Sequence, residues 1–371
     1  ILAGSVPVIW VLILARSLQG IAIAMLSPSG LAMSLNEFPP SRRAYALGVW
    51  GTIGALTGLC GSPVAAGMIE LFNWQAIFIL TGGFSLLILI AGLIVLSDEQ
   101  EGNNQLPIDW ISAIIAVMAV GGLTLFLVQG QEWGFSSPVT LLCLCVAIIS
   151  TPLLAKRNRT QGHPLFPPDI FAQRSFTIGA TGSALCQVGF FSIYFGLPLY
   201  MREVWSWSPL KIGFALIPLN VVPLLTAAVA GKIVDRQGPR PMVIFGGVWS
   251  GVSFLIIGFF LMEAGYILFA LGLLVSGLGA MAIGNNTTIA TLLDIEDDLL
   301  ASASSASYTA RRLGSALGAV LTASIVGNRL GSDFKDVYIW VWILGAGAYL
   351  LGSLITYLYY PRRNEQELSK V

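Results

Sequence analysis

Gly231-Lys232-Ile233-Val234-Asp235-Arg236-Gln237-Gly238-Pro239-Arg240 places four charged residues in ten positions, between two runs that carry none, 212–231 and 241–262. Each flanking run is about as long as the 20 or so apolar residues a helix needs to cross a bilayer. The decapeptide therefore reads as a short loop between two membrane spans. Its two glycines permit a tight turn, and its Asp and Arg side chains can pair with each other and with helix ends. A loop that only marked one side of the membrane would need the arginines alone. The full GxxxDRxGxR spacing is more specific than that.

The same ruler extends outward. Charge-free runs also cover 44–69, 71–97, 110–131, 133–155, 175–201, 264–293 and 337–361. Two further apolar stretches hold arginine: 6–36 with Arg16, and 302–327 with Arg311 and Arg312. The expected fold is an all-α polytopic membrane protein with eleven transmembrane helices. Composition agrees, with 371 residues, 56% hydrophobic and 10% charged, against roughly 25% charged in soluble domains. Alternating ten-residue strands of an outer-membrane barrel are not seen. The abundance of large apolar residues excludes disorder, and zero net charge excludes a global basic field for nucleic acid.

Basic residues orient the spans. Assigning alternate loops to one side collects Arg42, Arg43, Lys156, Arg157, Arg159, Arg174, Lys232, Arg236, Arg240, Arg311, Arg312, Arg362, Arg363 and Lys370 there, fourteen in all. Only four, Arg202, Lys211, Arg329 and Lys335, fall opposite. The larger group is expected in the cytoplasm, with the C-terminus inside and the chain multi-pass in the plasma (cell inner) membrane. The first full helix then runs inward, Ile1–Ser5 reads as the tail of a preceding helix, and an N-terminally truncated chain is expected.

Catalytic chemistry is not expected. Cys60, Cys143, Cys145 and Cys186 lie in apolar runs without a CxxC pair and read as packing residues. His163 is the single histidine, too little for a histidine triad or metal site. Gly231-Lys232 is followed by Ile233, so there is no phosphate-binding GxxxxGK[ST] loop. No metal and no cofactor are expected, and movement of a solute would draw on a gradient.

Arg16 is expected near the midplane, the only basic residue deep in a span. A guanidinium there is unfavourable unless it faces water or a partner, which makes it a functional candidate; snorkelling to the interface is the alternative. Gln19 and Gly20 share its helix face at i+3 and i+4. The next helix carries Gly48, Gly51, Gly54, Gly58, Gly61 and Ala65 in one stripe, with Gly67 beyond, and Pro63 removes a backbone donor. Close helix packing and a groove in a rocking helix both fit this pattern. Gln187, Phe191 and Tyr194 stand at i, i+4 and i+7; Asn220, Asn285, Asn286, Tyr308 and Arg311 are further polar groups within spans. Helix–helix hydrogen bonding and solute contact are both open for them. No Asp or Glu lies deep in any of the eleven spans.

These residues resemble the major facilitator superfamily, in particular its fourteen-helix drug:proton antiporter branch. Arg16-Ser-Leu-Gln19-Gly20 is similar to that branch's fourth-helix RxxQG. Gly61-Ser62-Pro63-Val-Ala-Ala66-Gly67 resembles its GPxxGG antiporter motif, with Ser62 and Ala66 in place of two glycines. Phe38-Pro39, Trp74, Pro198-Leu-Tyr200 and Ser208-Pro209 through Pro218 also have equivalents there. The opening decapeptide resembles the superfamily's cytoplasmic loop. Ala310-Arg311-Arg312-Leu-Gly314-Ser-Ala-Leu-Gly318 resembles the thirteenth-helix RqlGgalG, with Arg312 where relatives often carry Gln.

The resemblance implies that the spans are family helices four to fourteen. Residues 1–98 would then complete the N-terminal half, 99–160 would hold two extra linking helices, and 161–371 would form the C-terminal six-helix half. It implies proton-coupled efflux of amphipathic, often cationic, drugs by alternating access. Arg16, Gln19 and Gly20 would serve coupling; Gly54, Gly58, Gly61, Pro63 and Gly67 would permit helix movement. Gly231, Asp235, Arg236, Gly238 and Arg240 would form the cytoplasmic gate. Its partners would be the lipid bilayer, a small amphipathic solute and, in a Gram-negative host, a periplasmic adaptor protein. A specific metabolite carrier and a non-transporting truncated fragment are the alternatives.

Overall fold

A computed structural model describes residues 2–5, 8–36, 43–95, 109–161, 164–284, 286–296, 299–327 and 334–362. Phe38, Pro39, His163 and Asn285 lie outside the described residues, as does the side chain of Asp235. The helices are α1 (Leu2–Ser5), α2 (Ile9–Asn36), α3 (Arg43–Leu71), α4 (Trp74–Val95), α5 (Trp110–Trp133), α6 (Pro138–Thr160), α7 (Pro168–Ala172) and α8 (Arg174–Glu203). They continue as α9 (Pro209–Ala215), α10 (Ile217–Gln237), α11 (Pro239–Ile256), α12 (Tyr266–Ile283), α13 (Asn286–Leu292), α14 (Leu300–Gly327) and α15 (Phe334–Tyr359).

Among the described residues, ten helical segments are long and apolar enough to cross a membrane. The eleventh expected span, α14, is 28 residues long, or about 42 Å at 1.5 Å per residue, but serines and two arginines lower its hydropathy. Arg311 is its twelfth residue, about 16 Å from the helix start. Arg311 and Arg312 therefore leave the loop tally, which becomes twelve against four. Arg16 is thus not the only deep basic residue; it is the eighth residue of α2.

Two expected spans are interrupted. The run ending at Gly231 is two helices that meet at Leu216, because Pro218 has no N–H to donate to the Phe214 carbonyl. The run 264–293 is split between α12 and α13, with Gly284 closing α12 through an N–H to the Ala280 carbonyl at 3.0 Å. A π-helical turn, Ile257–Leu261, continues α11 where Gly258 meets the indole of the fully buried Trp342.

The chain divides into two compact units, residues 1–106 with 207–217, and residues 107–206 with 218–371. In the first, α1 packs on α4 and α9 packs on α3. No residue of α4 is buried. In the second, α8 is the central element, packed by α13, α14 and α15, while α11 lies against α12 and α15. One side of α15 carries the fully buried Tyr338, Val341 and Trp342, and Trp340, Leu351 and Leu354 lie exposed on the other. Lipid tails are as apolar as leucine, so such a core is held by close packing and hydrogen bonds rather than by water exclusion.

Candidate functional site

The second unit builds a polar cluster at the α8–α14 crossing. A Cβ at Gly314 would run into the Ala184 carbonyl, and one at Gly318 into the Val188 carbonyl. Only glycine lets these two backbones approach so closely. Ser192 Oγ donates to the Gly318 carbonyl at 3.2 Å, and Thr322 Oγ1 donates to the Ser192 carbonyl at 3.3 Å, one turn further along.

Arg311 sits one turn before Gly314, so the crossing brings its guanidinium against Gln187 of α8. With the Gln187 amide oxygen turned toward it, Nη2 and Nε donate to that oxygen at 3.1 and 3.2 Å; the amide orientation follows from this bonding pattern. Nη1 donates to Thr288 Oγ1 of α13 at 2.5 Å. Three helices thus hold one cation through neutral groups. The adjacent Arg312 is exposed and donates to the Tyr308 hydroxyl, with its guanidinium 4.8 Å from that ring's centre. Along the α8 face from Gln187 come Phe191 and Tyr194, which pack with each other and with Phe190 and Phe195.

Asn286 is buried at the start of α13, and its amide donates to the Ala282 carbonyl in the last turn of α12 at 2.9 Å. Asn220 is half-buried on α10. Sequence reading missed Thr288, a hydroxyl on a short helix that hydropathy merges into α12.

In the first unit, Arg16 Nη1 donates to Gln19 Oε1 at 3.3 Å, and the guanidinium lies 4.5 Å from the centre of the Phe78 ring of α4. The arginine is thereby tied to its own helix and to α4 by hydrogen-bond and cation–π contacts. A Cβ at Gly20 would meet no atom within 4 Å among the described residues.

The glycine stripe of α3 is open at some positions and closely packed beside others. Cβ atoms at Gly54 and Gly61 would meet open space among the described residues, and one at Gly67 would make ordinary contact with Leu210. The close approach is enforced from the other helix. A Cβ at Gly213 of α9 would lie 2.8 Å from Ala66 Cβ, 2.9 Å from the Ser62 carbonyl and 3.1 Å from Pro63 Cα. Helix α3 runs unbroken through Gly58 and Pro63. Glu70 Oε2 accepts from the Leu210 N–H at 3.1 Å, satisfying a free donor at the start of α9.

At the opening decapeptide, α10 continues to Gln237, so Gly231 is helical and Gly238 alone makes the turn, at φ 75°. Arg236 is exposed. Arg240 Nη2 donates to the Tyr357 carbonyl at 2.7 Å, capping the last turn of α15. Gly238 and Arg240 line a cavity of about 230 Å³ with Leu293, Tyr360 and Arg362.

A further ion pair was not foreseen. Asp109, the N-cap of α5, meets Arg157 in the last turn of α6 through Oδ1–Nη2 at 2.8 Å and Oδ2–Nε at 3.1 Å. Asp109 also accepts from the Ser112 amide and hydroxyl. The two residues are nearly equidistant in sequence from the turn at Gly134, a signal available in the sequence. No cluster of His, Cys, Asp or Glu able to hold a metal occurs among the described residues.

The family model described as Major Facilitator Superfamily matches residues 1–167 and 179–370. The chain belongs to the major facilitator superfamily. This superfamily member is 26% identical over 337 residues to the tetracenomycin C resistance and export protein of Streptomyces glaucescens, across 90% of this chain and 62% of that protein. It is 26% identical over 323 residues to the multidrug export protein EmrB of Escherichia coli (strain K12), across 86% of this chain and 62% of that one. A solved structure, the nucleoside transporter NupG, aligns at 16% identity and a TM-score of 0.45, covering 92% of this chain and 88% of that one. The chain thus spans 62% of the length of each of these two curated relatives.

Proposed function

We propose that the complete protein is a secondary active transporter that exports drugs or other amphipathic compounds by alternating access, coupled to protons. The observation that carries this reading is the superfamily match over nearly the whole chain, joined to two relatives named as export proteins. Neutral hydrogen bonding of guanidinium groups within spans supports it, because ionisable groups at that depth mark solute or ion paths. Arg16 is the coupling charge, held by Gln19, with Gly20 leaving space beside it. Gly54, Gly58, Gly61, Pro63 and Gly67 let α3 move. Asp235, Arg236 and Arg240 latch the cytoplasmic end, where Arg240 caps α15.

The protein resides in the plasma (inner) membrane with its C-terminus in the cytoplasm. In a Gram-negative host it works with a periplasmic adaptor protein. The test is uptake into everted vesicles carrying the complete protein, using ethidium, Nile red and 2-naphthoate, with and without a protonophore. Energised uptake of at least one probe, abolished by the protonophore and reduced at least tenfold by Arg16→Ala, is expected. Uptake equal to vesicles lacking the protein overturns the reading, and full uptake by Arg16→Ala removes Arg16 from it.

A further inference from the structure

We propose that Arg311 and Arg312, with Gln187 and Tyr308, form a recognition site for the carboxylate or phenolate of an aromatic solute. The inference rests on the transporter reading and narrows its substrate class at this cluster. Two adjacent guanidinium groups stand in the middle of α14, and every partner of Arg311 and Arg312 among the described residues is neutral: Gln187, Thr288 and Tyr308. Along α14 itself the sequence holds no Asp or Glu between Asp298 and Asp333. Of the helices packed on α14, the spans of α8 and α15, 175–201 and 337–361, and all of α13 carry no Asp or Glu, while α5 carries Glu132 in its last turn.

A charge removed from water is tolerated when an opposite charge completes it, and hydrogen bonds from neutral groups do so only in part. Here the protein supplies the neutral bonds and leaves the anion to be supplied by something else. Gln187 holds Arg311 by a two-pronged bond and Thr288 takes a third N–H. A guanidinium has five N–H donors, so donors remain for an incoming oxygen. Planar guanidinium groups match carboxylate geometry in paired bonds.

The surroundings define the rest of the ligand. Phe191 and Tyr194 continue the α8 face that starts at Gln187, and Tyr194 and Phe195 are exposed. Arg312 is exposed beside the Tyr308 ring. A flat apolar body stacking on these rings would set its acidic group against the guanidinium pair. A cationic solute would meet two like charges at the same place.

Isothermal titration of the purified chain in nanodiscs with three probes of one shape tests this: 2-naphthoate, its neutral amide, and 2-naphthylmethylamine, all at pH 7. The expected order is naphthoate tightest, at least tenfold over the amide, with the amine weakest. Arg312→Gln and Arg311→Lys should each cut the naphthoate preference severalfold. Thermal unfolding of each variant separates lost recognition from lost folding, and Arg312→Gln, at an exposed position, keeps the test open if Arg311 variants unfold. Equal binding of the three probes, binding of none, or an undiminished preference in Arg312→Gln and Arg311→Lys overturns the proposal. Failure of vesicle uptake alongside a retained naphthoate preference would overturn the transport reading instead.

Discussion

The Arg16–Gln19 bond was legible because both partners sit on one helix at i and i+3, a spacing that periodicity alone reveals. The Arg311 cluster was legible only in part. Gln187 and Arg311 stood out as polar groups in spans, but their union depends on how α8 crosses α14, which no local pattern encodes. Two residues carry consequences that can be measured. Gly238 has φ 75° and ψ 171°, a region essentially reserved for glycine, so Gly238→Ala should cost about 1–3 kcal/mol; a thermal midpoint unchanged from wild type would refute this. Asp109 is 11% exposed, and the Arg157 guanidinium, helped by the Ser112 hydroxyl, holds its carboxyl well below the usual carboxylate range. A carboxyl with a depressed folded pKa adds stability that is complete above its unfolded value of about 4 and is lost as pH falls through the folded value. Asp109→Asn should therefore melt lower than wild type at pH 7, with the gap narrowing below about pH 4. A gap constant from neutral to acid pH would show that the ion pair contributes nothing.

At the level of helices, each of the eleven expected segments is helical among the described residues, two of them interrupted and ten apolar enough to cross a membrane, because charge-free length is set by bilayer thickness and needs no tertiary information. Their ends and interruptions were less legible. The break at Leu216 had a visible signal in Pro218, whereas the extension of α10 through Gly231 to Gln237 did not, since glycine is tolerated inside membrane helices. The glycine-rich motifs separate into two kinds once neighbours are known. Gly314 and Gly318 are required by the α8–α14 approach, and Gly213 by the α9–α3 approach, while Gly54 and Gly61 face open space among the described residues. Gly314→Ala should force a shift of the crossing and cost about 1–3 kcal/mol, the usual effect of overpacking. By contrast, Gly61→Ala should leave the melting temperature unchanged or raise it, since alanine is the better helix former by about 1 kcal/mol. Comparing the two midpoints in one detergent is the check, and equal destabilisation by both would remove the distinction. A stripe of small residues marks where a helix is free to approach, and only the facing helix decides whether it does.

Across the whole molecule, charge is placed rather than merely scarce. Asp and Glu stay out of span interiors, basic residues crowd alternate loops, and the exceptions, Arg16, Arg311 and Arg312, are those for which the sequence and structure suggest a task. Reassigning Arg311 and Arg312 to the interior of α14 lowers the loop bias to twelve against four, still a clear excess on the side that carries Arg157, Arg159 and Arg240. Loop arginine and lysine resist translocation, so this excess sets orientation. The same bias predicts where two exposed positions face. Thr160 follows Lys156, Arg157 and Arg159 at the end of α6, and Ala264 follows the π turn at the far end of the span that begins at Pro239. With Cys60, Cys143, Cys145 and Cys186 replaced by serine or alanine, single cysteines at the two positions can be probed with a membrane-impermeant maleimide on intact cells. Ala264→Cys should label at once, and Thr160→Cys only after the membrane is permeabilised. The reverse order would turn the whole protein over, placing Arg240 and its cap on α15 outside the cell and removing the cytoplasmic gate from the mechanism. Labelling of both in intact cells would mean that the loop charges do not fix one orientation.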